Sequence, residues 1–274
     1  MLKTLLKYEW KDTWGLCTAC NGIALILSVI GALMISLWHY SDDKTFTDTQ
    51  TTMLGVAFSF YIIIYIVSVF AIVLVMKYYF FVRYYKNLFT DQGYLMHTLP
   101  VKSTDLINSK LIIAVLWQFI TGIVVGICIA IIVFSFADIF GELSIMDFKE
   151  AFHDIEMEFD EIVKGIPLIA SGIISGLVTP IFEILLMYMA VGIGQQSKKN
   201  RLFLSVMVLI GLYMGKRFLS SCLSVPLQML VINEDISLTT VNVGAVLVAL
   251  AIIAMTVGLY FLNKYFLEKK LNLE

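Results

Sequence analysis

Residues 53–76 read MLGVAFSFYIIIYIVSVFAIVLVM, 24 residues without one charged side chain. A helix needs roughly 20 mainly apolar residues to cross the hydrocarbon core of a bilayer. Lipid offers the backbone no outside hydrogen-bond partner, so a run of this length and uniformity predicts a spanning helix. The helical pattern continues past Met76 through KYYFFVRYYKNLF (77–89), more than a bilayer requires, so this helix should project beyond the membrane.

Other runs of the same kind lie on both sides. Before it, the polar stretch SDDKTFTDTQTT (41–52) follows a first span, 16–38, that ends in the interfacial aromatic group Trp38, His39 and Tyr40. Residues 1–14 place Leu2, Leu6, Trp10 and Trp14 on one helical side with Lys3, Lys7 and Lys11 beside them, the pattern of an interfacial helix on a charged membrane surface. After it, Ser103 or Thr104 can cap a helix that begins at Asp105 and becomes the third span, 111–137. The fourth span, 166–194, carries Pro167 and Pro180 and turns through the basic link QQSKKNR (195–201) into a fifth, 202–219. Lys216 and Arg217 interrupt the fifth, a second apolar piece runs over 218–232, and the last span is 241–262.

The whole chain agrees with this reading. Of its 274 residues, 59% are hydrophobic and 15% charged, too few polar groups to cover a soluble domain of that size. The predicted fold class is an all-α integral membrane protein, a single transmembrane domain over 1–274 with six spans. A formal charge of −2, with no basic tract interleaved with aromatics, argues against nucleic acid as a partner. Among the 19 lysines and arginines, the outer segments of an N-terminus-inside topology hold only Lys44, Lys149, Lys164, Lys216 and Arg217. The positive-inside rule therefore puts both termini in the cytoplasm.

Catalytic constellations are missing. No span pairs a serine with a histidine or two aspartates, there is no H-E-x-x-H, and GIISG (172–176) is not a nucleophile elbow. Cys17-x-x-Cys20 has no further Cys or His nearby, whereas a zinc site needs about four ligands. The chain also lacks a G-x-x-x-x-G-K-[ST] phosphate loop, so no catalysis by this chain alone is expected, and no metal.

Three groups remain as candidates. Glu183, just after Pro180, is read as a lone carboxylate within a span, either hydrogen-bonded between helices or part of a substrate path. Lys216 and Arg217 either snorkel to the outer headgroups from the end of a short span or line the outer mouth of a re-entrant segment between spans five and six. The outer stretch 143–164 spaces Ile145, Phe148, Phe152, Ile155, Phe159 and Ile162 by threes and fours, and its other face shows Asp154, Glu156, Glu158, Asp160 and Glu161. That face is either a solvated surface or a collector of cationic cargo.

NLFTDQGYLMHTLPVKSTDLINSK (Asn87–Lys110) resembles the cytoplasmic loop of the type-2 family of ABC exporter permeases. There an acidic-x-Gly-Tyr-Leu run leads through Thr-Leu-Pro to Ser-Lys, here Asp91, Gly93, Tyr94, Leu95, Thr98, Leu99, Pro100, Ser109 and Lys110. The resemblance extends to Gly192-Ile193-Gly194-Gln195 before the basic turn and to the six-span layout with its N-terminal interfacial helix and broken outer segment. It implies one half of a dimeric pore in the cell membrane, paired with a second, same or homologous, permease subunit. Two ABC ATP-binding subunits would hold the ATP and Mg, leaving this chain without a cofactor. Asp91, Gly93, Tyr94, Leu95, His97, Leu99 and Pro100 would form the coupling helix that docks on the ATPase subunit, and the cargo would be amphiphilic, such as an antimicrobial peptide or a drug. An ion-coupled secondary transporter and a non-transporting membrane scaffold are the alternatives.

Overall fold

The computed structural model describes residues 2–43, 48–90, 93, 103–140, 159–197, 200–232 and 238–269. They form six α-helices: α1 (Leu2–Asp43), α2 (Asp48–Phe89), α3 (Ser103–Phe140), α4 (Phe159–Gly194), α5 (Arg201–Ile232) and α6 (Leu238–Lys269). The described residues contain no strand. Each helix includes a stretch long and apolar enough to cross a membrane. The 42 residues of α1 and of α2 reach about 63 Å at 1.5 Å per residue, against a hydrocarbon core roughly 30 Å thick, so both overrun the apolar layer.

Side-chain exposure shows which solvent the helices meet. Ile63, Ile64, Ile66, Val67 and Phe70 of α2 are each about 60% exposed. A continuous apolar face of that kind is a liability in water and the ordinary outer surface of a helix in lipid.

The chain folds as two compact units. One comprises the middle and end of α1, the first part of α2 and most of α3. Its contacts set the helix directions: Thr13 meets Trp117 and Gly31 meets Ile132, so α1 and α3 run parallel. Ser28 meets Tyr65 at 3.0 Å and Trp38 stacks on Phe58, so α1 and α2 run antiparallel. The Trp10 ring lies nearly flat on Trp117, 5.0 Å between centroids, while the Trp117 indole N–H donates to Thr13 Oγ1 at 3.0 Å. The Tyr61 hydroxyl donates to the Leu27 carbonyl.

The other unit takes the start of α1, the end of α2, the start of α3 and all of α4, α5 and α6. Its core is the last third of α4, where Ile184, Leu185, Leu186, Met187, Tyr188, Ala190 and Val191 are all buried. A helix apolar on every side must be surrounded, and it is. Tyr188 stacks face to face on Tyr84 of α2 at 3.6 Å, and Asn263 of α6 donates its amide to the Leu185 carbonyl at 2.9 Å. Tyr260 of α6 donates to Asn108 Oδ1 of α3 at 3.0 Å.

Two expected boundaries are absent. The N-terminal segment 1–14 is no separate interfacial helix, because α1 continues without a break from Leu2 into the span. Lys216 and Arg217 do not end the fifth helix: α5 is continuous over 32 residues. Lysine and arginine are good helix formers, and what opposed Lys216 at this depth was its charge, which α4 neutralises. The seam and acidic face over 143–164 lie mostly outside the described residues. Residues 160 and 161 fall in the first turn of α4.

Glycine decides the tightest helix approach. A Cβ on Gly194 would run into the Ser205 backbone of α5, 2.6 Å from both its Cα and its N, so the two chains can pass this closely only at glycine. Between them Asn200 takes a left-handed conformation (φ 56°), which asparagine tolerates better than most residues. Gly194→Ala is expected to destabilise the fold by about 1–3 kcal/mol through overpacking. Thermal unfolding of the purified protein would show this as a lowered midpoint, with no comparable change for Gly211→Ala, whose Cβ would meet open space.

Candidate functional site

Two charged groupings stand out, both in the unit built around α4. The deeper joins Glu183 of α4 to Lys216 of α5, with Nζ 2.9 Å from Oε1. Glu183 lies 11 residues before Gly194, and Lys216 lies 15 beyond Arg201, the two helix ends beside the basic link. Those spacings are about 17 and 23 Å of helix, and both residues fall within the stretches of α4 and α5 that are long and apolar enough to cross a membrane. A lone charge there is costly, and pairing is the usual answer. The sequence presented Glu183 as a lone carboxylate and Lys216 as a cation that either snorkels to the outer headgroups or lines an outer mouth. Folding makes them partners.

Aromatic rings complete the surroundings of the ammonium. Lys216 Nζ lies 5.5 Å from the centroid of Phe182 and 5.9 Å from that of Tyr213, within cation–π range. The Tyr213 hydroxyl is buried with no hydrogen-bond partner. Beside the pair is a partly open cavity of about 140 Å³, lined by Thr179 and Phe182 of α4, Lys216, Leu219 and Ser220 of α5, and Val248, Ala251, Ile252 and Met255 of α6. Pro180 falls next to this corner. It removes one α4 hydrogen bond, and Thr179 donates its hydroxyl to the Ser175 carbonyl at 2.7 Å nearby. Arg217, the third residue singled out with them, is exposed on another side of α5.

The second grouping sits where α1, α2 and α3 overrun their apolar stretches. Glu9 Oε2 accepts from Arg83 at 2.6 Å, and Glu9 Oε1 accepts from Lys110 at 2.6 Å. All three are nearly buried, with side-chain exposures of 8%, 11% and 4%. Arg83 also donates to the Tyr79 hydroxyl at 3.0 Å. One carboxylate thus ties three helices together, and it fixes the part of α2 that projects beyond its apolar run.

That projection ends in a turn. The Gly93 N–H donates to the Thr90 carbonyl at 2.6 Å, and a Cβ on Gly93 would collide with the Leu88 carbonyl group. Leu88, Phe89 and Gly93 are buried, so the turn folds back on its own helix end. Asp91, Tyr94, Leu95, His97, Leu99 and Pro100 lie outside the described residues, as do Asp154, Glu156 and Glu158. Asp160 and Glu161 are placed by their backbone only.

Sequence reasoning missed Glu9, although a signal was present. It lies on the same helical stripe as Leu2, Leu6 and Thr13, an acid in a row of residues that face inward. It missed the role of Tyr213 for lack of any signal, since the ring matters only through Lys216. Among the described residues, no three His, Cys, Asp or Glu side chains gather as a metal site would require. No family model, no curated protein and no solved structure matches the chain.

Two outcomes follow from the pairings. Glu9→Gln removes the carboxylate that two nearly buried cations share and is expected to cost about 3–5 kcal/mol, read as loss of thermal stability. At the deeper pair, Lys216→Met and Glu183→Gln should each lower the unfolding midpoint, and the double variant should be more stable than their summed effects imply. A double-mutant cycle with no coupling would mean that the two residues do not form a pair in the membrane.

Proposed function

We propose that this chain is the transmembrane subunit of an ATP-driven exporter, similar to the type-2 ABC permeases. In this reading it works as one of two permease subunits and takes its energy from separate ATP-binding subunits. The observation that supports it most is the base of α2. The stretch resembling a coupling loop follows directly on a helix extension fixed by Glu9, Arg83 and Lys110 and closed by the Gly93 turn. Mechanical coupling needs such a base, because a push on the loop moves helices only if loop and helices are rigidly joined.

The coupling helix is then 91–100, and both chain ends face the ATPase side of the membrane. Tyr94, Leu95 and Leu99 are the apolar anchors, and a few such anchors carry most of the energy of a docked surface. The membrane is the cell membrane and the cargo an amphiphile moved outward. ATP and Mg belong to the partner subunits. The Glu183–Lys216 pair favours a second reading, an ion-coupled secondary transporter, since ionisable groups at membrane depth commonly mark transport pathways. Transport that follows an imposed ion gradient without nucleotide would select it.

Single cysteines at positions 91–97 should cross-link to the ATP-binding subunit. Tyr94→Ala should weaken docking by about 2 kcal/mol, leaving membrane insertion intact. Gly93→Val should uncouple ATP hydrolysis from transport, since the side chain has no room against Leu88. Normal transport by both variants, or cross-links to lipid alone, would remove the ABC permease reading.

A further inference from the structure

We infer that the cavity between α4, α5 and α6 binds the head of a single-chain fatty carboxylate drawn from the surrounding lipid, with Lys216 as its counter-charge. The walls select an amphiphile: Phe182, Leu219, Val248, Ile252 and Met255 are apolar, and the one charged group on the lining is Lys216. Glu183 is absent from the lining. Its side chain is 16% exposed against 29% for Lys216, so the carboxylate stands behind the ammonium and the cation faces the space.

The ammonium has capacity to spare. Of its three N–H donors, one is directed to Glu183, and the others have the faces of Phe182 and Tyr213 as neighbours. A ring face is a weaker partner than a carboxylate oxygen in an apolar setting.

Size admits such a ligand. The space open to water centres is about 140 Å³, roughly ten water positions at about 10–15 Å³ each, ample for a carboxylate and the first carbons of its chain. The chain beyond can lie along Phe218 and Leu219, which are exposed on α5. A cationic amphiphile would instead face Lys216 directly, so the cavity disfavours the cationic cargo that an acidic outer face suggests.

The site competes with itself in a way that fixes the sign of a test. Ligand and Glu183 are both carboxylates drawn to one ammonium, so neutralising Glu183 should strengthen binding. If the chain is an exporter subunit, its cargo includes anionic amphiphiles. Binding itself needs no ATPase and stands or falls separately.

The test uses the purified full chain in phosphatidylcholine nanodiscs, titrated with a fluorescent fatty carboxylate and competed with the alcohol and the trimethylammonium of equal chain length. Saturable binding is expected, with the carboxylate competing at least about tenfold better than either analogue. Lys216→Met should lose about tenfold or more, Lys216→Arg should stay within about threefold, and Glu183→Gln should bind several-fold tighter. If Lys216→Met does not fold, Leu219→Trp, which fills the cavity without touching the charges, should block binding instead. Non-saturable partitioning, equal affinity for carboxylate and alcohol, indifference to cavity filling, or weaker binding by Glu183→Gln would each overturn the assignment.

Discussion

One buried carboxylate holds the base of this protein together. Glu9 accepts from Arg83 and Lys110 at 2.6 Å each and so connects the first three helices where they leave their apolar stretches. Neither cation would be tolerable at that burial without an acceptor, and a single anion between two cations leaves each helix little freedom to slide. The stacking of Tyr84 on Tyr188 lies one residue along α2 from Arg83 and carries the same rigidity into α4. The extension of α2 is therefore part of a fixed frame, and its Gly93 turn begins from a defined position.

The same rule operates inside the membrane at Glu183 and Lys216, with a different result. There Glu183 pairs with Lys216, the ammonium lies beside Phe182 and Tyr213, and Lys216 borders open space. A charge pair sealed among helices would contribute to specificity of packing alone. This one has a cation facing a cavity, which is an arrangement able to exchange partners. The two groupings thus divide the labour in the unit built on α4, one fixing the frame and the other offering a polar contact within an apolar layer.

The lipid solvent explains what would otherwise look like poor packing. Long faces of α2 and α5 carry exposed Ile, Val, Phe and Met, and in water these would drive aggregation. In a bilayer the helices gain nothing from hiding apolar surface, so burial concentrates where polar groups, aromatic stacks and glycines make specific contacts. Gly194 against Ser205 and Gly31 against Tyr61 and Ile132 are such contacts.

What could be read from the sequence follows from the solvent. Six runs near 20 apolar residues, the over-length second helix and the absence of catalytic motifs are local properties of composition and spacing, and lipid enforces helix wherever such a run crosses it. The break read at Lys216 and the overlooked role of Glu9 have one reason. A charge in an apolar run looks like a boundary until its partner is known, and the partners are 33 residues away for Lys216 and 74 and 101 for Glu9. Sequence fixes which residues must be paired, because an unpaired charge is too costly in lipid. Only the tertiary structure decides the pairs, because pairing depends on which helix faces meet, and no local pattern in the chain records that.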